Sequence, residues 1–151
     1  MTFYKYQGAG NDFLIADNRD GSVALLERQI ATLCDRRYGV GADGLMLLDA
    51  AEKHLSDTSC CTDGFRMTYY NSDGSGGMMC GNGIRCVAKY AYDRGIAKKQ
   101  TMTVETKSGI KTLEITDKDG KVVDVKISYP ANYIEQHLKY GKEYSFLPTL
   151  N

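Results

Sequence analysis

Of the five cysteines in the chain, Cys34, Cys60, Cys61, Cys80 and Cys86, one has a setting suited to chemistry. Cys80 opens the segment Cys80-Gly81-Asn82-Gly83-Ile84-Arg85-Cys86, at the end of a glycine-rich run that begins at Asn71. From Ile84 onward, Val87, Ala88 and Ala91 recur at helical spacing until Gly95. The thiol therefore falls at the predicted N-terminus of a helix, where free N–H groups and the positive end of the helix dipole favour an anion. Such a position favours thiolate, available as a base or a nucleophile, and the same N–H groups can receive a carboxylate. Gly81 and Gly83 would let a ligand approach the backbone closely. Free cysteine is ordinarily a small core residue, but a glycine-flanked loop is a poor place to bury one.

The remaining candidates are weaker. Cys86 comes six residues after Cys80, which at 3.6 residues per turn rotates it away from the same helix face, so it reads as core or as support. Cys34 falls on an apolar helical stripe. Cys60 and Cys61 are adjacent in a polar stretch and no Cys-x-x-Cys pair occurs, so neither a structural zinc nor any other metal site is expected. His54 and His137 stand alone in polar surroundings and read as solvated. Gly39-Val40-Gly41-Ala42-Asp43-Gly44 fits the bare GxGxxG pattern. A helix precedes it and a strand follows, the reverse of a dinucleotide-binding turn, so it reads as a helix stop and a tight turn into a strand.

The elements that must position Cys80 follow from periodicity and punctuation. Thr2 to Tyr6 and Phe13 to Asp17 read as strands around the loop Gly8-Ala9-Gly10-Asn11-Asp12, whose glycines allow positive φ. Ser22 is a candidate cap for a helix with apolar positions Leu26, Ile30, Leu33 and Cys34, ended by Arg36, Arg37 and Gly39. Leu45 to Leu48 reads as a buried strand, residues 50 to 64 as an exposed connection, and Phe65 to Tyr70 as another strand. After the Cys80 helix, Thr101 to Thr106, Lys111 to Thr116 and Val122 to Ser128 alternate with period two. Lys107-Ser108-Gly109 and Asp117-Lys118-Asp119-Gly120 separate them as hairpin-like turns, making a meander. The tail carries a possible capping box, Asn132 to Glu135, and an incipient strand from Tyr144 to Leu147. Two helices among many strands joined by short turns predict an α+β fold and not a doubly wound parallel sheet.

The chain's 151 residues, 42% of them apolar, suffice for one domain or half of something larger. Its 19 basic residues balance 19 acidic ones, which argues against nucleic acid as the main partner. No apolar run approaches the roughly 18 residues of a membrane span. The N-terminus lacks the basic and apolar regions of a secretory signal, and an odd number of irregularly spaced cysteines suits free thiols. A cytoplasmic location is the expectation.

Four segments carry a specific likeness: Gly8-Ala9-Gly10-Asn11-Asp12-Phe13, Arg37-Tyr38-Gly39-Val40-Gly41-Ala42-Asp43-Gly44-Leu45, Tyr70-Asn71-Ser72-Asp73-Gly74-Ser75, and Cys80 to Cys86. In their order and approximate spacing, over residues 1 to about 128, the chain resembles the N-terminal half of the diaminopimelate epimerases. These are cofactor-independent enzymes of lysine and peptidoglycan biosynthesis. The resemblance implies a lobe with a strand-rich, barrel-like sheet around a central helix, occupying residues 1–128. Residues 129–151 would lead into a second, pseudo-symmetric lobe. It implies two-base chemistry without a cofactor. One cysteine removes the substrate's α-proton, and a second, from the other lobe, protonates the opposite face.

By that matching, Cys80 is the first-lobe catalytic cysteine. Asn11 and Asn71 hold the backbone or distal amino-acid group of diaminopimelate, and Gly81 with Asn82 offers N–H groups to its α-carboxylate. Without pyridoxal phosphate as an electron sink, fixed dipoles in a closed site must stabilise the carbanion. Two positions depart from common family patterns: Gly44 replaces a glutamine that contacts substrate in some members, and Gly76 replaces a frequent glutamate. None of Cys34, Cys60, Cys61 or Cys86 begins a second helix in the Cys80 manner. An inactive fragment is therefore expected, with homodimerisation or self-association of the exposed lobe as partners to test. The competing expectations are another two-cysteine racemase of this fold, such as a proline racemase-like enzyme, and a non-catalytic half-lobe that binds carboxylates.

Overall fold

A computed structural model describes residues 1–51 and 65–128. In chain order they form β1 (Tyr4–Gly8), β2 (Asn11–Asn18), α1 (Glu27–Cys34), β3 (Gly44–Ala50), β4 (Phe65–Asn71), β5 (Gly76–Gly77), α2 (Gly81–Asp93), β6 (Thr101–Thr106), β7 (Gly109–Lys118) and β8 (Lys121–Ser128). One mixed sheet runs β1-β2-β3-β4-β6-β7-β8, with β5 attached to β4. It curls into a half-barrel around α2, which packs against strands near both ends of the sheet, β1 and β2 as well as β7 and β8.

The expected α+β half-barrel is thus what forms, and the last three strands are the expected meander. The two-residue turns Lys107-Ser108 and Asp119-Gly120 connect them, with positive φ at Gly109, Asp119 and Gly120. A bulge skips Val123, so Val122 pairs with Asp117 and Asp124 with Thr116. This shift lets Val122 and Val125, three residues apart, both enter the core while Val123 faces water.

Elsewhere the strand order differs from a simple meander. β2 runs parallel to β3, and β4 parallel to β6. A parallel pair needs a crossover, and α1 and α2 are those crossovers, one on each face of the sheet. Sheet positions therefore sort by parity. Phe13, Ile15, Met46, Leu48, Phe65 and Met67 meet Ile84, Val87, Ala88 and Ala91 of α2 on the concave side. Leu14, Ala16, Leu45 and Leu47 meet Ile30 and Cys34 of α1 on the other. Leu45 to Leu48 is continuously apolar because β3 is covered on both faces.

Two local expectations are corrected. Ser22 does not cap α1, which starts at Glu27 after Leu26; Gln29 Oε1 reaches back to accept the Leu26 N–H at 2.8 Å. Val23 is drawn into the core beside α1, and its N–H donates to Asn18 Oδ1 at 2.6 Å, so residues 22–25 serve packing and not the helix. Arg36 and Arg37 also lie beyond the last turn of α1, which ends at Cys34. The predicted exposed connection begins later than expected, since Ala50 is the last residue of β3; residues 52–64, with His54, Cys60 and Cys61, and everything after Ser128, including His137, fall outside the described residues.

Candidate active site

The four segments singled out from the sequence converge at one end of the sheet. Asn11 is the first residue of β2, Gly44 the first of β3 and Asn71 the last of β4, with Phe13 opposite Gly44 and Gly44 opposite Asn71. The β1–β2 turn is only two residues, Ala9 and Gly10, both with positive φ, so Asn11 and Asp12 are strand residues and not loop residues. Gly8 serves a different purpose. A Cβ there would stand 3.2 Å from Asn82 O and 3.3 Å from Cys86 Sγ, so its absence lets β1 close on the start of α2.

Cys80 is the N-cap residue of α2, with φ −131° and ψ 119°. Its Sγ accepts the Gly83 N–H at 3.4 Å, and its carbonyl accepts the Ile84 N–H at 2.9 Å. The N–H groups of Gly81 and Asn82 precede that first helical bond, so the helix itself offers them no acceptor. The thiol is half-buried, unlike Cys34 and Cys86, which lie in the core. Burial pushes the Cys86 thiol up to about 12 and raises that of Cys34, which keeps both protonated. Among the described residues, Cys80 is the one thiol at a helix start.

Gly83 corrects an expectation. It is buried, and a Cβ there would lie 1.8 Å from Met46 Cε, so the space beside it holds a core side chain and is closed to a ligand. Gly44 is similarly constrained: a Cβ would meet Tyr70 O at 2.6 Å and Tyr69 Cε2 at 2.9 Å. The side chain missing at 44 is thus replaced by the close packing of β4. Gly76 is under no such pressure, with Lys107 Nζ at 3.2 Å as the neighbour a Cβ would meet.

Asn82 and Asn11 are brought together, Nδ2 of Asn82 donating to Asn11 Oδ1 at 3.3 Å. Asn11 Nδ2 donates in turn to Asp43 Oδ2 at 2.6 Å, and Arg85 donates to Asn82 Oδ1. Asp43 belongs to a charged cluster whose role sequence inspection missed. Arg36 holds Asp12 at 2.7 Å and Asp43 at 2.9 Å, while Lys5 Nζ lies 3.1 Å from Asp12 and donates to Gly41 O at 2.8 Å. The Arg36 hydrogen bonds, and secondarily Lys5, hold the Asp12 carboxyl well below the usual carboxylate range against the opposing effect of burial. The parallel register of Phe13 on Gly44 sets Asp12 beside Asp43, and no spacing in the sequence announces that pairing.

Asn71 lies at the same end of the sheet, with its amide engaged within the chain. Tyr69 Oη donates to its Oδ1 at 2.7 Å, and its Nδ2 donates to Ser75 Oγ at 3.0 Å. Tyr69 sits under Gly77, and burial, followed by the proximity of Cys80, raises its phenol pKa. The GxGxxG segment behaves as a helix stop. Val40 and Gly41 N–H donate to Leu33 O and the Ala42 N–H to Cys34 O, and a Cβ on Gly39 would fall 2.0 Å from Thr32 O. Among the described residues, no three His, Cys, Asp or Glu gather as a metal site, and no helix is long and apolar enough to cross a membrane.

A family model, "Diaminopimelate epimerase", matches residues 3–130. A relative described as diaminopimelate epimerase from Caldanaerobacter subterraneus is 42% identical over 127 residues, covering 84% of this chain and 42% of its own length. One from Bacteroides thetaiotaomicron is 35% identical, covering 99% of this chain and 52% of its own. This chain thus spans about half, or less, of the length of these relatives. In fold, it is similar to a probable proline racemase from Agrobacterium radiobacter K84, with TM-score 0.63 at 15% identity over 83% of this chain and 40% of that one. It is also similar to a phenazine biosynthesis protein of the PhzF family from Bacillus anthracis, with TM-score 0.55 at 22% identity over 83% of this chain and 38% of that one. The match over residues 3–130, carried by relatives up to 42% identical, establishes that the chain belongs to the diaminopimelate epimerase family.

Proposed function

We propose that residues 1–128 are the first lobe of a cytoplasmic epimerase that interconverts LL- and meso-diaminopimelate, and that residues 129–151 lead into a second lobe. The observation that carries this reading is Cys80 as the N-cap of α2, directly followed by the Gly81 and Asn82 N–H donors and beside the Asn82–Asn11 amide pair. The substrate's α-carboxylate accepts from those two N–H groups. Asn11 and Asn82, with Asn71 from the end of β4, hold the remaining polar groups, Asn71 exchanging its internal partners for substrate.

Cys80 as thiolate takes the α-proton and becomes a thiol. The electron pair left on the α-carbon is stabilised by the carboxylate, itself held by the helix donors. A thiol of the second lobe then delivers a proton to the opposite face and becomes thiolate. Run backward, the two cysteines exchange roles. The chemistry needs no cofactor, but it needs two thiols.

The test is α-proton exchange with deuterated solvent in protein carrying both lobes. Cys80→Ser is expected to abolish epimerisation almost completely, and full activity in that variant removes Cys80 from the chemistry. The 151-residue chain alone is expected to turn over no substrate and to self-associate. A second reading, a half-lobe that binds carboxylates without catalysis, is favoured by the burial of Cys34 and Cys86. Retained diaminopimelate binding, with no exchange even when the second lobe is present, would select it.

A further inference from the structure

Arg85 is out of place for stability alone. It is 8% exposed and lies near the N-terminus of α2, where the helix dipole already presents positive charge and disfavours a cation. One Nη donates to Asn82 Oδ1, and Nε is buried with no hydrogen-bond partner among the described residues. The ion pairs at this end of the sheet engage Asp12 and Asp43 with Lys5 and Arg36, and none of the pairs seen among the described residues includes Arg85. A buried guanidinium without a carboxylate is costly, and the cost is relieved when an anion arrives nearby.

The guanidinium also dictates the polarity of a chain of amides. Because Arg85 only donates, Asn82 must turn its carbonyl oxygen to it and its NH2 to Asn11, which then turns its own NH2 to Asp43. A flipped Asn82 would set NH2 against guanidinium.

We propose that Arg85 is a positioning residue of the α2 site, which locks Asn82 and Asn11 in one amide orientation and leaves an unneutralised positive charge that draws an anion to the Cys80–Asn82 turn. The identity of that anion as a substrate carboxylate rests on the epimerase reading, whereas the test does not use turnover.

The test measures alkylation of Cys80 in the 151-residue chain by iodoacetate and by iodoacetamide at low ionic strength. Peptide-resolved mass spectrometry separates Cys80 from the other four cysteines. The ratio of the two rates cancels thiolate fraction and access, and reports local potential. Arg85→Met is expected to lower the ratio about threefold or more, the effect of one unit charge several ångströms away in a largely aqueous field. Arg85→Lys, which keeps the charge and the Asn82 acceptor, stays close to wild type. Arg85→Gln, which removes the charge but can still donate an amide N–H to Asn82 Oδ1, lowers the ratio as Arg85→Met does. If Arg85→Met fails to fold by circular dichroism, Arg85→Gln decides the matter. An unchanged ratio in the folded neutralised variants overturns the role of Arg85 whatever the epimerase assay shows. A lowered ratio supports it even if the epimerase assay fails.

Discussion

Replacing Gly83 by alanine tests the contact that seats the first turn of α2. The added Cβ would stand 1.8 Å from Met46 Cε and 3.2 Å from its Sδ. Carbon atoms rest about 3.5–4.0 Å apart, so the Met46 methyl must retreat by about 2 Å. Met46 is fully buried in the concave core, so it can retreat only by repacking. Its flexible thioether keeps the cost within the ordinary range for overpacking, about 1–3 kcal/mol. Alanine regains about 0.5–1 kcal/mol over glycine in a helix. The net expectation is a loss of about 0.5–2 kcal/mol, at about 2–4 °C of Tm per kcal/mol for a chain this size. Met46→Ala alone should cost about 2–5 kcal/mol. In the double variant the new methyl enters space vacated by the thioether, so the combined loss should fall short of the sum by about 1 kcal/mol or more. Urea unfolding of the four proteins, followed by circular dichroism, measures the cycle. Additivity within about 0.5 kcal/mol, or a Gly83→Ala variant no less stable than the parent, would refute this account of the packing.

Two other perturbations probe the scaffold around the site. The Asp12 carboxylate is held below its ordinary value near 3.8, so the unfolded chain binds the proton more readily. Its contribution is therefore present above that value and is lost as pH falls below it. The urea midpoint should drop on acidification below about pH 4, and less steeply in Asp12→Asn; identical slopes in the two proteins would contradict the assignment. Arg36 is 56% exposed, which screens the pair and keeps the effect modest. Gly74 has φ +89° and a Cβ there would fall 2.1 Å from Glu27 O, a backbone atom that cannot swing aside. Gly74→Ala should cost about 2–4 kcal/mol in the same unfolding assay, and stability equal to the parent would show that the 71–75 loop does not seat on α1 as described.

Much of the site was legible because its signals are local. A thiol followed by Gly81-Asn82-Gly83 and then apolar residues at helical spacing is a helix start whatever surrounds it, and α2 begins where that pattern puts it. The β6–β8 hairpins were equally plain, since two-residue turns leave no choice of partner strand. The start of α1 was not legible. Ser22 is a good cap in isolation, but burial of Val23 and its bond to Asn18 pull residues 22–25 out of helical geometry. Gly83 was misread for a related reason, because a glycine that admits a ligand and one that admits a methionine look alike until the facing strand is known.

Periodicity, turn chemistry and the Cys80 motif determine an α+β fold whose candidate thiol heads a helix, while the family and its barrel-like lobe came from the likeness of four segments and the match over residues 3–130. The fold class and the helix start rest on interactions within a few residues, which propensity and spacing encode directly. Tertiary structure alone decided the rest: the parallel pairing that sets Asp12 beside Asp43, the Arg36 bridge across them, and the donor chain from Arg85 through Asn82 and Asn11. Asn82 and Asn11 are 71 positions apart, and Asn11 and Asp43 are 32 apart. Strand register and the closure of α2 onto β1 bring them within hydrogen-bond reach, and no local rule of spacing specifies contacts made across such distances in the chain.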